Sequence, residues 1–518
     1  MVNIYLKKYI WDRTTFHKFS ESCKDELKLF KVQSYNPILS LYLYYHNTKN
    51  SKKLVTLNLN NIVQKILNVK DHKFYNSNKF AEVLLHNINN NTITNKNIFI
   101  KSIPLIDPIN YIMNNYNLDI NNSNLPYNYN YNTYHKINSL ENSAYVETLF
   151  SHISNELVSN GYLPSLPLLY ASINGITHNY KYDISEEYED FRNEIWFHKN
   201  IGKLFSLDIY TNDDFSNDSI KSTSSNSNMS THSNISNASN GSNLSNNSKL
   251  SSNSEKSIYS EISNNSLSTC DSVNDYIINI NNIPVQNLFI EQLEGTLDKI
   301  LFDEDNTINY TLIKSCLFQI NFALLFLQKY FKFSHNDLHI NNIMYKTTDK
   351  KFLYYKFNNQ YFRVPTFGKI FKIIDFGRCI FNFKNKTFIN DVFSKYGEAD
   401  KQYNFPNQIL LFDETNKSLN INYHFDMCRL CMTIIEELNL YEMNNNSEEF
   451  IELFSFLNTI VTDKNGTNIV KEIPNTFKLY IHIVNNANKS LPRNLIQSKY
   501  FNKYIINKKQ MPIKYYKI

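Results

Sequence analysis

Glycine is scarce in this chain: nine residues in 518, and none before Gly161. A loop whose backbone approaches a phosphate closely needs residues without side chains. No glycine-rich phosphate loop therefore stands ahead of Gly161. Cysteine is also sparse, with six residues scattered at 23, 270, 316, 379, 428 and 431. That scatter argues against a disulfide framework and predicts a reduced, intracellular protein. The CxxC from Cys428 to Cys431 falls in the apolar helical run MCRLCMTII with no second ligand pair, which reads as packing rather than zinc or redox chemistry. An excess of one charge is missing as well: 53 basic residues face 48 acidic ones, a net charge of +5, so no nucleic-acid partner is expected. Residues 1 to 20 show no signal-peptide core, and no later run reads as membrane-spanning. A soluble protein without a membrane partner is the expectation.

What is present is concentrated between Phe333 and Arg378. Asp337 stands five residues before Asn342 in SHNDLHINNIMY, and Asp375 ends the apolar run Ile370 to Ile374. Phosphoryl transfer from a nucleotide needs such a set. One carboxylate orients and deprotonates the attacking hydroxyl, while an amide and a second carboxylate hold the Mg2+ ions that neutralise phosphate oxygens. His335-Asn336-Asp337 and Asp375-Phe376-Gly377 stand in the order and spacing of the catalytic and metal loops of protein kinases.

With His339 two residues after Asp337, DLHxxN and DFGR together resemble the atypical, haspin-like kinases. The run YYKFNNQYFRVPTFGKIFKIIDFGR, followed by Gly397 to Asp400 and Gln402-Tyr403-Asn404, is similar to serine/threonine kinases of giant DNA viruses over about residues 95 to 440. The resemblance implies an α+β, two-lobed protein-kinase-like fold using ATP and Mg2+. It also implies a protein substrate, and a host cytoplasm or virion location. Asp337 would be the base and His339 would touch the transferring phosphoryl group, either as a cation or as a neutral imidazole donating one hydrogen bond. Asn342 and Asp375 would hold metal. His335 would be structural, and Asn336 replaces the arginine that reads a phosphorylated activation loop.

The domains expected are an N-terminal extension at 1–75, a small β-rich lobe at 76–290 and a larger helical lobe at 291–518. From Phe80 to Ile103 two strands flank an Asn-rich turn, and alternation puts Phe99, Lys101 and Ile103 on one face. Lys101 is the candidate phosphate anchor, although Phe99 stands where kinases carry a small residue above the adenine. With no glycine loop available, the turn Asn89 to Asn91 is the candidate cover for the triphosphate. In SLENSAYVETLFSHISNELV, residues Val146, Leu149, Phe150, Ile153 and Leu157 form a helical stripe. Glu147 and Glu156 both flank it as partners for Lys101; periodicity leaves the choice open, and the viral resemblance favours Glu147.

Residues 212–272, nearly all Ser, Asn, Thr and Asp, read as a disordered insert. The strand ending at Ile290 matches a kinase hinge, with Ile290 at the back of the base pocket and backbone groups of Glu291 to Leu293 meeting the adenine edge. Lys351 to Phe357 and Tyr361 to Val364 read as an extra β-hairpin around Asn358-Asn359. For Asp426, in the first turn of a helix over His424 to Glu437, the resemblance implies backbone N–H bonds received from the catalytic loop, beside the ordinary role of a first-turn aspartate. Residues 444–518 show no chemical motif. Two other readings remain: a phosphotransferase for small molecules, which DLHxxN also resembles, and a pseudokinase scaffold, which the missing glycine loop and the insert suggest.

Overall fold

The computed structural model describes residues 8–9, 12–34, 36–39, 56–57, 59–70, 77–116, 125–126, 134–210, 275–384, 386–395, 397–405, 419–441, 443, 445–470 and 478–518. The insert read at 212–272 lies outside them. Helix α1, Arg13–Leu27, starts where the Asp12 carboxylate accepts the Thr15 N–H and stops at Lys28, whose φ of 53° is left-handed. The strands β1 Leu29–Phe30, β2 Asn61–Lys70, β3 Lys79–Asn87 and β4 Thr92–Pro104 follow. Helix α2, Ser143–Ser159, precedes β5 Leu169–Thr177, β6 Tyr180–Asp183, β7 Phe205–Tyr210, β8 Asp275–Ile280 and β9 Ile283–Glu291.

Six of these strands form a curled sheet in the order β1-β5-β9-β4-β3-β2. Alternation along β4 buries Ile98 and Ile100 against one face, leaving Phe99 and Lys101 on the other. Helix α1 covers the Ile98 and Ile100 face: Phe19 meets Phe289 with ring centroids 5.6 Å apart, and the Ser22 hydroxyl accepts the Ile66 N–H at 3.1 Å. Helix α2 lies on the Lys101 face, burying Val146, Leu149, Phe150, Ile153 and Leu157.

The boundary expected at residue 75 is corrected by β2, which pairs with β3 from Asn61↔Asn87 to Lys70↔Phe80 and is an edge of the main sheet. A cut at 75/76 would split a hairpin. A separate sheet, β6-β8-β7, carries the insert, whose flanking residues Tyr210 and Asp275 are cross-strand partners.

After β9 come β10 Gly295–Thr296, α3 Tyr310–Phe331, β11 Ile343–Thr347, β12 Phe352–Phe357, β13 Gln360–Pro365 and β14 Lys369–Ile373. The longer helices of the C-terminal part are α4 Phe425–Glu437, α5 Glu448–Ile460 and α6 Leu479–Asn486. The expectation that no segment reaches membrane-spanning length is corrected by α3, whose 22 residues are long and apolar enough. Most of that helix is buried as the core of this half, against α5, β14 and the β12–β13 hairpin, where Tyr355 meets Phe322 at 4.5 Å. The hairpin turns at Asn358, with φ 52°, and chain-terminal strands Ile505–Ile506 and Tyr516–Lys517 extend it to four strands.

Candidate active site

The loop after α3 is shaped by its backbone donors. Lys332 ends the helix in a left-handed conformation, and Ser334 then exchanges N–H to O bonds with Ile380 at 2.9 Å each. The N–H groups of His335 and Asn336 both donate to the fully buried Asp426 carboxylate, at 2.9 Å to Oδ2 and 2.9 Å to Oδ1. Burial pushes the Asp426 carboxyl up, and these two bonds oppose that. Asn336 takes a φ of 63°, which Asn tolerates better than most residues, and its Nδ2 donates to the Arg378 carbonyl at 2.9 Å. His335 Nε2 lies 2.8 Å from the Ile374 carbonyl, which can only accept, so the proton sits on Nε2 and Nδ1 faces the Asp337 N–H.

This loop brings Asp337, His339 and Asn342 together. Asn342 Nδ2 donates to the Asp337 main-chain carbonyl at 2.9 Å, and it lies 3.0 Å from His339 Nε2. An amide NH2 only donates, so His339 Nε2 accepts there. Burial, outweighing the pull of Asp337, holds the His339 imidazole below its ordinary range. In this arrangement Nε2 of His339 is engaged by Asn342, the pattern of a neutral imidazole.

Asp375 follows β14 with a φ of 61°, and its Oδ1 accepts the Gly377 N–H at 3.2 Å. A Cβ on Gly377 would lie 3.2 Å from that oxygen and 3.7 Å from Glu147 Oε2, so glycine keeps a side chain out of the carboxylate pair. Lys101 Nζ donates to Glu147 Oε1 at 2.6 Å and to Asp375 Oδ1 at 3.0 Å. Desolvation by the surrounding groups would raise the Asp375 carboxyl although about half of its side chain is exposed, but the Lys101 ammonium outweighs it and holds the group well below the carboxylate range. Burial likewise raises Glu147 and here exceeds the Lys101 effect. Of the two glutamates that helical periodicity leaves open, Glu147 reaches Lys101, while Glu156 bonds Asn160 at the far end of α2. Phe376 packs edge-on to Phe150 of α2 at 4.6 Å, so the residue after Asp375 and the helix that carries Glu147 share one contact.

At the strand end, Ile290 stands opposite Phe99, and Leu288 opposite Lys101, on the same sheet face. Phe99 in turn meets Phe80 at 5.4 Å. The placement of Glu291 at the adenine edge needs correction in part. Its N–H goes to the Leu168 carbonyl at 3.0 Å, and its buried side chain pairs with Lys372 of β14. The Leu293 N–H meets no described residue and remains suited to a ligand's edge. The triphosphate cover assigned to Asn89 to Asn91 is also corrected. That turn joins Asn87 to Thr92, about 30 Å along β4 from Lys101 at 3.3 Å per residue. The hairpin end beside Lys101 is the other one, where Lys79 pairs with Ile100; its connection at 71–76 lies outside the described residues.

Downstream residues of the resemblance fold back on the loop. Arg378 reaches Glu398 at 2.6 Å and Gln402 at 3.1 Å, and the Tyr403 hydroxyl donates to the Asn336 carbonyl. Sequence reading missed Tyr480 on α6, whose hydroxyl donates to Asp337 Oδ1 at 2.5 Å.

Magnesium fits the donor set. Asp375 is held ionised by Lys101, and Asn342, with Nδ2 turned to Asp337, directs its amide oxygen away from that bond; both are oxygen donors of the kind this cation takes.

No protein-family model matches the chain. A stretch of 149 residues, 27% of the chain, is 30% identical to a protein of Dictyostelium discoideum described as a probable serine/threonine-protein kinase, of which it spans 12%. Among solved structures, a crystal structure described as a kinase domain matches at 12% sequence identity with a TM-score of 0.29, covering 88% of this chain and 98% of that one.

Proposed function

We propose that the chain is a protein kinase that transfers the γ-phosphate of ATP to a serine or threonine hydroxyl in the presence of Mg2+. The observation that carries this reading is the bridge of Lys101 Nζ to Glu147 and Asp375, in one site with Asp337 and Asn342. Similarity to a probable serine/threonine-protein kinase over part of the chain supports the choice of acceptor.

In this reading Asp337 orients the acceptor hydroxyl and takes its proton, and Lys101, held by Glu147, grips phosphate oxygens. Asp375 and Asn342 would hold magnesium, which neutralises charge on the phosphates. The Leu293 N–H and the Glu291 carbonyl meet the base edge below Ile290 and Phe99. Free, buried cysteines at 23, 316, 379, 428 and 431 fit a reducing, intracellular setting.

The test combines a thermal shift with Mg·ATP and a transfer assay with radiolabelled ATP, histone and casein as acceptors, and aminoglycoside and choline as small-molecule controls. The reading expects a raised midpoint and label on protein serine or threonine. Label on a small molecule alone, or no shift and no label, would overturn it.

A further inference from the structure

The backbone around Asp337 is pinned from several sides, but a backbone fixes only the root of a carboxylate. The terminal torsion of an aspartate is broad and roughly two-fold, so the oxygens need a partner of their own to be aimed. That partner is Tyr480, whose hydroxyl lies 2.5 Å from Asp337 Oδ1. Among the described residues, no group bonds Oδ2.

The tyrosine ring is itself held. It packs against Tyr403 at 5.8 Å and Phe425 at 5.7 Å, with the guanidinium groups of Arg378 and Arg429 over it at 5.7 Å and 5.6 Å. Two of these neighbours belong to the machinery that shapes the loop. Tyr403 bonds the Asn336 carbonyl, and Phe425 immediately precedes Asp426, which takes the His335 and Asn336 N–H groups. A ring gripped in this way has little freedom to swing aside, which argues against a gate that each acceptor displaces.

We propose that Tyr480 is a positioning residue: it holds Oδ1 of Asp337 so that Oδ2 is presented to the acceptor hydroxyl. This role rests on the reading of the site as a protein kinase. A general base must sit within hydrogen-bond reach of the proton it takes, and a misplacement of about 1 Å costs on the order of a hundred-fold in rate.

Tyr480→Phe in the full chain keeps the ring and its cation contacts and removes only the hydroxyl. With radiolabelled ATP and whichever of histone or casein the wild type labels, kcat should fall roughly ten- to a hundred-fold. The KM for Mg·ATP and the thermal midpoint should stay where they are, because Lys101, Asn342 and Asp375 are untouched. A purely structural tyrosine would instead lower the midpoint and move kcat and KM together, which overturns the proposal. Unchanged or increased kcat also overturns it, the increase identifying a barrier rather than a support. A wild-type chain that labels neither protein removes the kinase reading itself, and this role falls with it.

Discussion

Lys101 Nζ lies 3.0 Å from Asp375 Oδ1 although 274 positions separate the two residues, and Glu147 Oε1 is 2.6 Å from the same nitrogen. One ammonium therefore compensates two carboxylates, of which Glu147 is nearly buried and Asp375 about half exposed. Replacing Lys101 by Met leaves Glu147 buried without its cation. The Lys101→Met protein should lose roughly 3 kcal/mol, mostly through Glu147, since the exposed Asp375 partner is screened by solvent. Mg·ATP affinity should fall as well. Urea unfolding that matches the wild type would show that the bridge does not form in solution.

The proposed function gives Asp337 and Asp375 different partners, and substitution should separate them. Under the proposed reading, Asp337→Asn should abolish phosphate transfer yet leave Mg·ATP binding close to wild type, because the base acts on the acceptor hydroxyl and not on the nucleotide. Asp375→Ala should weaken Mg·ATP binding itself. Calorimetric titration of both proteins checks this; equal nucleotide affinity in the two would remove Asp375 from the metal site.

The insert can be shortened. Tyr210 and Asp275 are cross-strand partners, so the chain leaves β7 and returns to β8 at neighbouring points. Replacing 212–272 by a short Gly/Asn turn lowers the closure entropy without stretching either strand. The expected outcome is an unchanged or slightly raised melting midpoint, and a cooperative loss of stability would assign those residues a packing role.

Much of the site is legible because its parts are local. Asp337 and Asn342 share one loop, Asp375 ends an apolar strand, and strand alternation alone puts Lys101 on a face with Phe99. The choice between Glu147 and Glu156 is not local, since each flanks the same helical stripe and only the packing of α2 on the sheet decides it. Strand β2 is hidden for another reason. Its register shifts at Val63/Lys65 and Ile66/Asn68 bury Ile62, Val63 and Ile66, a spacing closer to a helix than to period-two alternation. Tyr480 carries no signal, because α6 reads as an ordinary apolar helix and its partner Asp337 is 143 positions away.

His152, on α2, gives the chain an acid-sensitive spot. Its Nε2 lies 3.0 Å from the Ser172 hydroxyl, Nδ1 has no partner among the described residues, and burial pushes its pKa down to about 3. The folded state thus holds a neutral imidazole that the unfolded chain protonates near ~6.5. Because the folded value is the lower one, no penalty exists above that pH. Below it, stability should fall by about 1.4 kcal/mol per pH unit, levelling off under the folded value. His152→Gln, which cannot titrate, should show a shallower loss between pH 6.5 and 4. Parallel pH profiles of denaturant midpoints in the two proteins would rule this histidine out.

The ion pair between Glu291 and Lys372 joins the last residue of β9 to the strand that delivers Asp375, with side-chain exposures of 9% and 6%. Lys372 also donates to the Leu166 carbonyl at 2.9 Å, and Glu291 Oε1 accepts the Leu168 N–H at 2.9 Å. These bonds tie the end of β9 and the 166–168 segment to β14, the strand that leads into Asp375. Lys372→Met strands a buried carboxylate and Glu291→Gln strands a buried ammonium, each at about 3–5 kcal/mol. The double variant leaves no orphan charge, while the amide oxygen introduced by Glu291→Gln still accepts the Leu168 N–H. Its loss should therefore fall well short of the sum of the single losses, a coupling that chemical denaturation of all four proteins reads directly. Additive losses would mean that the two side chains act independently, and the end of β9 would then be tied to β14 by backbone packing alone.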